Sequence, residues 1–144
     1  MAVDWPAAAP SAPAARTLTE ISLVSVLPGF GNATSTETSR FLWEPSRYDP
    51  APVEIFFEVV GALTIGDADD TVTFRLHDVT NNVAIAGSSL VITGPGTGTA
   101  SGARRRTGNL VLAFPAASVE IALIAELTSG AAFSIQRSAV LLQQ

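Results

Sequence analysis

Alternation of apolar and polar residues in short runs constrains the fold of this chain more than any other feature. In the run 53–63 every second residue is apolar, which indicates a β-strand because successive strand side chains point to opposite faces of a sheet. We predict that the following residues face the core: Val53, Ile55, Phe57 and Val59. The intervening residues are predicted to face outward: Glu54, Phe56, Glu58 and Val60.

Similar runs recur along the chain, separated by Gly, Pro, Asn and Asp, and helical spacing is nowhere sustained. The predicted strands span 17–27, 39–43, 53–63, 71–78, 83–86, 89–92, 104–112, 118–127 and 131–142. Polar residues predict a loop over 31–38, glycines predict another over 94–102, and prolines exclude a strand over 44–52. Eight or nine strands without intervening helices predict an all-β, antiparallel sandwich, most economically a jelly roll.

The first 16 residues differ in composition from the rest of the chain. They are rich in Ala and Pro and lack periodicity, which favours an extended backbone over a helix. We predict an extended N-terminal arm over 1–16 and one sandwich domain over 17–144. At about 3.1 Å per residue the arm could span roughly 50 Å and contact a neighbouring molecule, although a disordered tail is an equal alternative. The arm residues predicted to bind a partner are Trp5, Pro6, Pro10, Pro13 and Arg16, with Trp5 as the aromatic anchor.

Composition limits the classes of function. A chain of 144 residues, 47% hydrophobic and 15% charged, is typical of one folded domain. It has no cysteine, so disulfides and cysteine-based sites are excluded. The net charge of −5 disfavours binding to nucleic acid, which needs a basic face. No apolar run approaches the roughly 20 residues that cross a bilayer. We therefore predict neither a nucleic-acid partner nor a membrane partner.

No combination of residues in the sequence predicts catalysis or metal binding. His77, the only histidine, lies on the predicted outer face of a strand. The acidic turn 66–70 lacks the ligand spacing of a calcium loop, so a solvated hairpin turn is favoured over a metal site. Glu54 and Glu58 are expected about 13 Å apart, farther than the carboxylate pair of a glycosidase. We therefore expect no enzyme activity, no metal site and no cofactor.

Three adjacent arginines are the most distinctive charged feature. Arg104, Arg105 and Arg106 fall on one predicted strand, so their side chains point to both faces and at least one must be paired or lie at an edge. They predict either a contact with acidic side chains of another subunit or a charged edge that prevents sheet-to-sheet aggregation. Glu120 and Glu126 are predicted to face outward and could pair with arginines of this chain or of another.

Four runs carry a family resemblance: FLWEPSRYDPAPVEIFFEVVGAL, TVTFRLHDVTNNVAIAGSSLVIT, ARRRTGNLVL and VEIALIAELTSGAAFSIQRSAVLLQQ. They resemble a jelly-roll module with a W-x-P-x-x-Y-D segment, a V-x-F-E-V strand, an L-x-D-V-T-N turn, an R-x-G strand and a closing A-x-L strand. This module is similar to the fold of head decoration (cement) proteins of tailed bacteriophages, and the resemblance covers about 41–142. The residues that match its first motif are Trp43, Pro45, Tyr48 and Asp49, which we expect to brace the loop rather than contact a ligand.

The resemblance implies a virion structural protein that lies on the outer surface of the capsid. Proteins of this kind are often trimers at three-fold positions, where they tie neighbouring capsid subunits together. The partners it implies are the major capsid protein and other copies of this chain, in a homotrimer made in the host cytoplasm. The Ala/Pro-rich arm suits such tying.

A carbohydrate-binding jelly-roll domain of a phage fibre, tail or surface protein is the alternative. Exposed aromatic rings would then stack on sugar rings, and the candidates are Trp43, Tyr48 and Phe56. Aromatic residues make up only 7% of the chain, and most fall at positions predicted to be core, which counts against this alternative.

Overall fold

The structure is a computed structural model that describes residues 17–23, 35–65, 70–93, 101–127 and 132–144. Within these ranges the regular structure is β-strand apart from one turn of 3-10 helix at Pro45–Arg47. The strands are β1 (Leu18–Ser22), β2 (Ser35–Trp43), β3 (Glu54–Ile65), β4 (Thr71–Asp78), β5 (Val83–Ala84), β6 (Leu90–Thr93), β7 (Ser101–Arg106), β8 (Val119–Leu127) and β9 (Ala132–Gln143). None of the described residues forms a helix long and apolar enough to cross a membrane.

The strands form two antiparallel sheets packed face to face. The first sheet has the order β1-β9-β3-β7, and the second has the order β2-β8-β4-β5 with β6 also paired to β4. The strand pairs are nested in sequence, as in one long antiparallel ribbon that is folded over on itself. The outermost pair is β1 with β9, followed inward by β2 with β8, β3 with β7 and β4 with β6. This nesting is the topology of a jelly roll. The predicted all-β, antiparallel jelly-roll sandwich is therefore confirmed, with β5 as a short additional strand.

The core lies between the two sheets and follows the predicted alternation from Ile55 onward. The prediction that Val53 faces the core is wrong, because Val53 precedes β3 and is exposed. Ile55, Phe57 and Val59 of β3 are buried, and β4 contributes its own alternate residues to the same interior. The rings of Phe74 and Phe133 meet edge to face across the core with centroids 5.6 Å apart. The largest fully buried side chains are Phe57, Phe74, Phe133, Leu23, Ile55, Leu63, Leu76, Ile92, Ile121, Leu123, Ile135 and Leu142.

Several predicted boundaries are wrong, most clearly those of β2 and β7. The predicted loop 31–38 is partly strand, because β2 begins at Ser35; the sequence there is rich in Ser and Thr, whose hydroxyls can stay exposed on an edge strand. The predicted strand 104–112 is shifted, because β7 spans Ser101–Arg106 and the chain then turns at Gly108 and Asn109. Of the predicted first strand, β1 spans Leu18–Ser22, and residues 24–27 lie outside the described ranges.

Some predictions fall on residues outside the described ranges. These are the arm over 1–16 with its candidate residues Trp5, Pro6, Pro10, Pro13 and Arg16, the aspartates at 67 and 69 of the acidic turn, and most of the glycine-rich loop. The arm and its role therefore stay predictions. The first described residue, Thr17, is fixed in the sandwich, since its backbone N–H and C=O both bond to Gln144.

Candidate partner-binding surfaces

The three consecutive arginines lie on β7, which is an edge strand of the first sheet. β7 pairs with β3 on one side, and no described strand pairs with its other side. Because strand side chains alternate, Arg104 and Arg106 lie on the outer face of the sheet and Arg105 points toward the second sheet. The prediction that these side chains point to both faces, with at least one arginine paired or at an edge, is confirmed, whereas their role in contacting another subunit stays a prediction.

Arg104 belongs to a row of ion pairs that crosses all four strands of the first sheet. Its Nη2 donates to Glu58 Oε2 at 2.7 Å, and Arg137 Nη1 donates to Glu58 Oε1 at 2.8 Å. Arg137 also donates through Nη2 to Glu20 Oε2 at 2.7 Å. Hydrogen bonds to Glu20 and attraction to both carboxylates raise the pKa of Arg137 above its ordinary value. The guanidinium of Arg104 is therefore already paired within the chain.

Arg105 and Arg106 are held by uncharged groups instead. Arg105 Nε donates to the backbone oxygen of Val91 on β6 at 3.4 Å, and its Nη1 donates to the backbone oxygen of Arg104 at 3.2 Å. The Arg106 guanidinium carbon lies 4.1 Å from the ring centroid of Phe56, a cation–π contact. Neither side chain pairs with a carboxylate of the described residues. Both remain exposed with unused hydrogen-bond donors.

A second set of candidate residues is apolar and lies toward one end of the sandwich. Within the described residues, the large hydrophobic side chains that remain exposed are Leu18, Leu42, Val53, Val83, Val91 and Leu112. Leu18 and Val53 lie at the same level across neighbouring strands of the first sheet. Leu18 pairs with Gln143, and so does Glu54, the residue that follows Val53. This level is also where Thr17, the residue that follows the predicted arm, enters the sheet.

The second sheet contributes two more exposed side chains at the same end. Leu42 pairs with Glu120, whose backbone oxygen accepts a hydrogen bond from the N–H of Val79, one residue beyond the end of β4. The last residue of β4 in turn pairs with Val83. The segment 107–118 connects the rows of the two sheets, because Leu110 bonds to Ile55 of the first sheet and Pro115 to Trp43 of the second. We call Leu18, Leu42, Val53, Val83 and Leu112 the apolar end.

Leu112 is the most exposed member of the apolar end, with 99% of its surface accessible. Its turn is nevertheless firmly held. The side-chain oxygen of Asn109 accepts hydrogen bonds from the N–H of Ile55 at 2.9 Å and of Val111 at 3.0 Å. The N–H groups of Ala113 and Phe114 both donate to the backbone oxygen of Leu110. The turn thus presents an apolar side chain to solvent from a fixed backbone.

Two residues of the W-x-P-x-x-Y-D motif, Trp43 and Tyr48, brace the loop as predicted. Trp43 is 3% exposed, its Nε1 donates to the backbone oxygen of Pro115 at 2.8 Å, and Phe114 meets its ring edge at 5.0 Å. Tyr48 stacks on the Trp43 ring at 5.2 Å, and burial raises the pKa of Tyr48 above its ordinary value. These contacts join the loop to the segment between β7 and β8.

The candidate sugar-stacking residues are all at least partly covered by other side chains. Trp43 is wrong as a candidate because its ring is buried in the core. Tyr48 has one ring face against Trp43, and Phe56 has one ring face beneath Arg106. Of the three candidates, one is buried and the other two each have one ring face covered within the chain.

The remaining charged candidates pair within the chain on the outer face of the second sheet. Arg40 bridges Glu37 and Glu120, with N···O distances of 2.8 and 2.9 Å, and Arg75 pairs with Glu126. The hydrogen bond from Arg40 lowers the pKa of Glu37. The predicted outward positions of Glu120 and Glu126 are confirmed, and their arginine partners belong to this chain.

His77 and the acidic residues form no recognisable reactive arrangement. His77 Nε2 lies 3.2 Å from Oδ1 of Asn82, and its Nδ1 has no partner among the described residues. In the part of the chain that the structure describes, no group of three or more His, Asp or Glu side chains could hold a metal ion. What the described surfaces offer chemically is guanidinium donors at a sheet edge and apolar side chains at one end.

Two functional candidates were missed by sequence reasoning. The alternation predicts a strand at Leu112, although the Gly108-Asn109 pair is a turn signal that places it on a loop. The role of Arg137 does not follow from the sequence, because its partner Glu58 is distant in sequence and only the strand order brings them together. Comparison of the chain with models of known protein families and with curated proteins found no match in either case.

Proposed function

We propose that this protein is a virion structural protein, a decoration or cement protein that binds the outer surface of the capsid and stabilises contacts between major capsid subunits. The observation that supports this proposal best is the apolar end. Five exposed hydrophobic side chains lie toward the end of the jelly roll where Thr17 enters the first sheet, with Leu18 on the outer face of that sheet and Leu42 on the outer face of the other. That end is therefore the surface we assign to the capsid.

Leu112 is the anchor of this contact. Burying a fully exposed leucine side chain on a partner contributes about 1.5–3 kcal/mol. Because Asn109 and the backbone hydrogen bonds already fix the turn, little conformational entropy is lost when the partner closes over it. A fixed apolar side chain at a turn tip thus favours binding over an incidental exposed residue.

The arm and oligomerisation supply the remaining affinity. Each copy sends residues 1–16 across an adjacent capsid subunit, with Trp5 as the aromatic anchor. In a homotrimer three arms and three apolar ends act on one capsid position. Once the first contact forms, the others occur at a high effective concentration, so individually modest contacts sum to a strong attachment.

The proposal is tested by pelleting the protein with capsids assembled in its absence. We expect light scattering to give a trimer, and the full chain to pellet with capsids at a saturating, fixed ratio. A chain that lacks residues 1–16 should bind at least ten-fold more weakly while its circular dichroism stays that of a folded sheet protein. Full-length protein that stays in the supernatant, or unchanged binding without the arm, would overturn the corresponding part of the proposal.

A further inference from the structure

We propose that the edge of β7 that pairs with no described strand binds an extended acidic segment of a partner protein, which adds to the first sheet as a fifth strand. This surface is separate from the apolar end, because it lies along the side of the sandwich where β7 runs beside β6. The inference goes beyond the proposed function, since it concerns a second surface and holds for any partner with this chemistry.

The backbone of β7 is oriented to accept such a strand. In an antiparallel strand the N–H and C=O groups of successive residues alternate in direction. The N–H of Thr107 points to β3, since it donates to the backbone oxygen of Phe57 at 2.9 Å. The backbone groups of Arg104 and Arg106 therefore point away from β3. The Arg104 oxygen accepts a bond from Arg105 but keeps a second lone pair for an added strand.

The arginine side chains specify carboxylates as the partner's side chains. Residues directly opposite each other on antiparallel strands have Cβ atoms about 4.5–5.5 Å apart. On such a segment, two acidic residues separated by one position would lie on the outer face beside Arg106 and Arg104. An acidic residue between those two would lie beside Arg105. Arg105 and Arg106 lack carboxylate partners among the described residues, in a chain with 13 acidic and 8 basic residues.

Both guanidiniums are already positioned for this contact. Phe56 supports the Arg106 guanidinium from one side, and the Val91 backbone oxygen holds Arg105 through its Nε. Groups that are fixed before binding lose less entropy when they bind, and paired guanidinium donors match the geometry of a carboxylate. An acidic strand would therefore gain charge-assisted hydrogen bonds at a small ordering cost.

The direct test uses two synthetic peptides and three forms of the full-length protein. The acidic peptide is an eight-residue segment of Thr and Val with Glu at three consecutive central positions, and its control carries Gln at every Glu position. The proteins are the wild type, the double variant Arg105→Gln with Arg106→Gln, and the control variant Arg40→Gln. Arg40 is a suitable control because it is a half-exposed arginine on the outer face of the other sheet. Binding is measured by fluorescence anisotropy and mapped by amide chemical shifts.

We expect the acidic peptide to bind the wild type and Arg40→Gln equally, with amide shifts concentrated in residues 101–106. The double variant and the Gln peptide should each weaken binding at least ten-fold, and added salt should weaken the acidic peptide's binding. The inference is overturned if the acidic peptide does not bind, or if it binds the double variant as well as the wild type. It is also overturned if the shifts lie elsewhere, or if the double variant merely self-associates, which would assign the arginines to protection of the edge. Since no capsid enters this assay, its outcome is independent of capsid binding.

Discussion

Glu58 accepts a hydrogen bond on each carboxylate oxygen, from Arg104 at 2.7 Å and from Arg137 at 2.8 Å, and its side chain is only 1% exposed. The carboxylate lies on the outer face of the first sheet and is buried there because the two arginines flank it from neighbouring strands. One buried acid thereby joins β7, β3 and β9.

Replacing this acid should destabilise the fold. In Glu58→Gln the shape is kept, but the charge is lost and an amide N–H group faces guanidinium donors. Because hydrogen bonds to charged groups contribute about 1.5–3 kcal/mol, we expect the free energy of unfolding in urea to fall by about that amount. Glu20→Gln is the control, since Glu20 pairs with Arg137 at an exposed position and should lose less than about 1 kcal/mol. Equal losses in the two variants would contradict the central role of Glu58.

Gly61 allows two strands of the first sheet to approach closely. A Cβ atom at this position would lie 2.9 Å from the backbone oxygen of Ser134 on β9, which cannot move away without disturbing the sheet. We expect Gly61→Ala to lower the free energy of unfolding by about 1–3 kcal/mol.

The control for this variant is Gly108→Ala. An added Cβ at Gly108 meets nothing within 4 Å, so this variant should be as stable as the wild type or slightly more stable. Both free energies are measured by denaturant unfolding. A Gly61→Ala protein as stable as Gly108→Ala would show that the approach to Ser134 is not restrictive.

Leu112→Ser should separate binding from stability. Since the side chain is fully exposed, the free energy of unfolding should change by no more than about 0.5 kcal/mol, while capsid binding in the pelleting assay should weaken at least ten-fold. Val91→Ser is the control, because Val91 is also an exposed apolar residue but lies on β6 outside the apolar end. Capsid binding that is lost equally in both variants, or in neither, would remove Leu112 as the anchor.

The ion pair between Glu37 and Arg40 predicts a dependence on pH. The Arg40 hydrogen bond lowers the pKa of Glu37 below its ordinary value of 4.5, so the pair stabilises the folded state above that pH, and this contribution is lost as the pH falls through the folded-state pKa. In Arg40→Gln we expect the pKa of Glu37, followed by carboxyl NMR, to return to about 4.5 and the acid-dependent loss of stability to become shallower.

Arg75→Gln serves as the control for this titration. Arg75 pairs with Glu126 on the same sheet face, so its removal should leave the pKa of Glu37 unchanged. If the pKa of Glu37 stayed low in Arg40→Gln, another group would have to be its cause.

The inward and outward residues of β3 and β4 could be predicted because an alternation of two fixes both faces at once. The starts of β2 and β7 could not be predicted, because their residues are Ser, Thr and Gly, which are common in loops. These residues form strands here only because they pair with β8 and β3. The burial of Glu58 could not be predicted from the sequence either. Its cover comes from arginines 46 and 79 residues away, which only the strand order brings together.

The candidate surfaces also combine features that the sequence predicts with features that it does not. The arginine run could be placed on a strand from its sequence, and its position at a sheet edge agrees with that prediction. The exposure of Leu112 depends on Asn109, whose side chain bonds to β3 and turns the chain out of the predicted strand. A local pattern does not reveal such a long-range bond.

Cryo-microscopy of capsids saturated with the full-length protein tests the proposed function most directly. We predict density for the jelly roll on the outer capsid surface between major capsid subunits, with three copies around each occupied position and the apolar end against the shell. Density confined to the tail or fibres, or a capsid surface without added density at saturating protein, would contradict the proposal that this protein decorates the capsid.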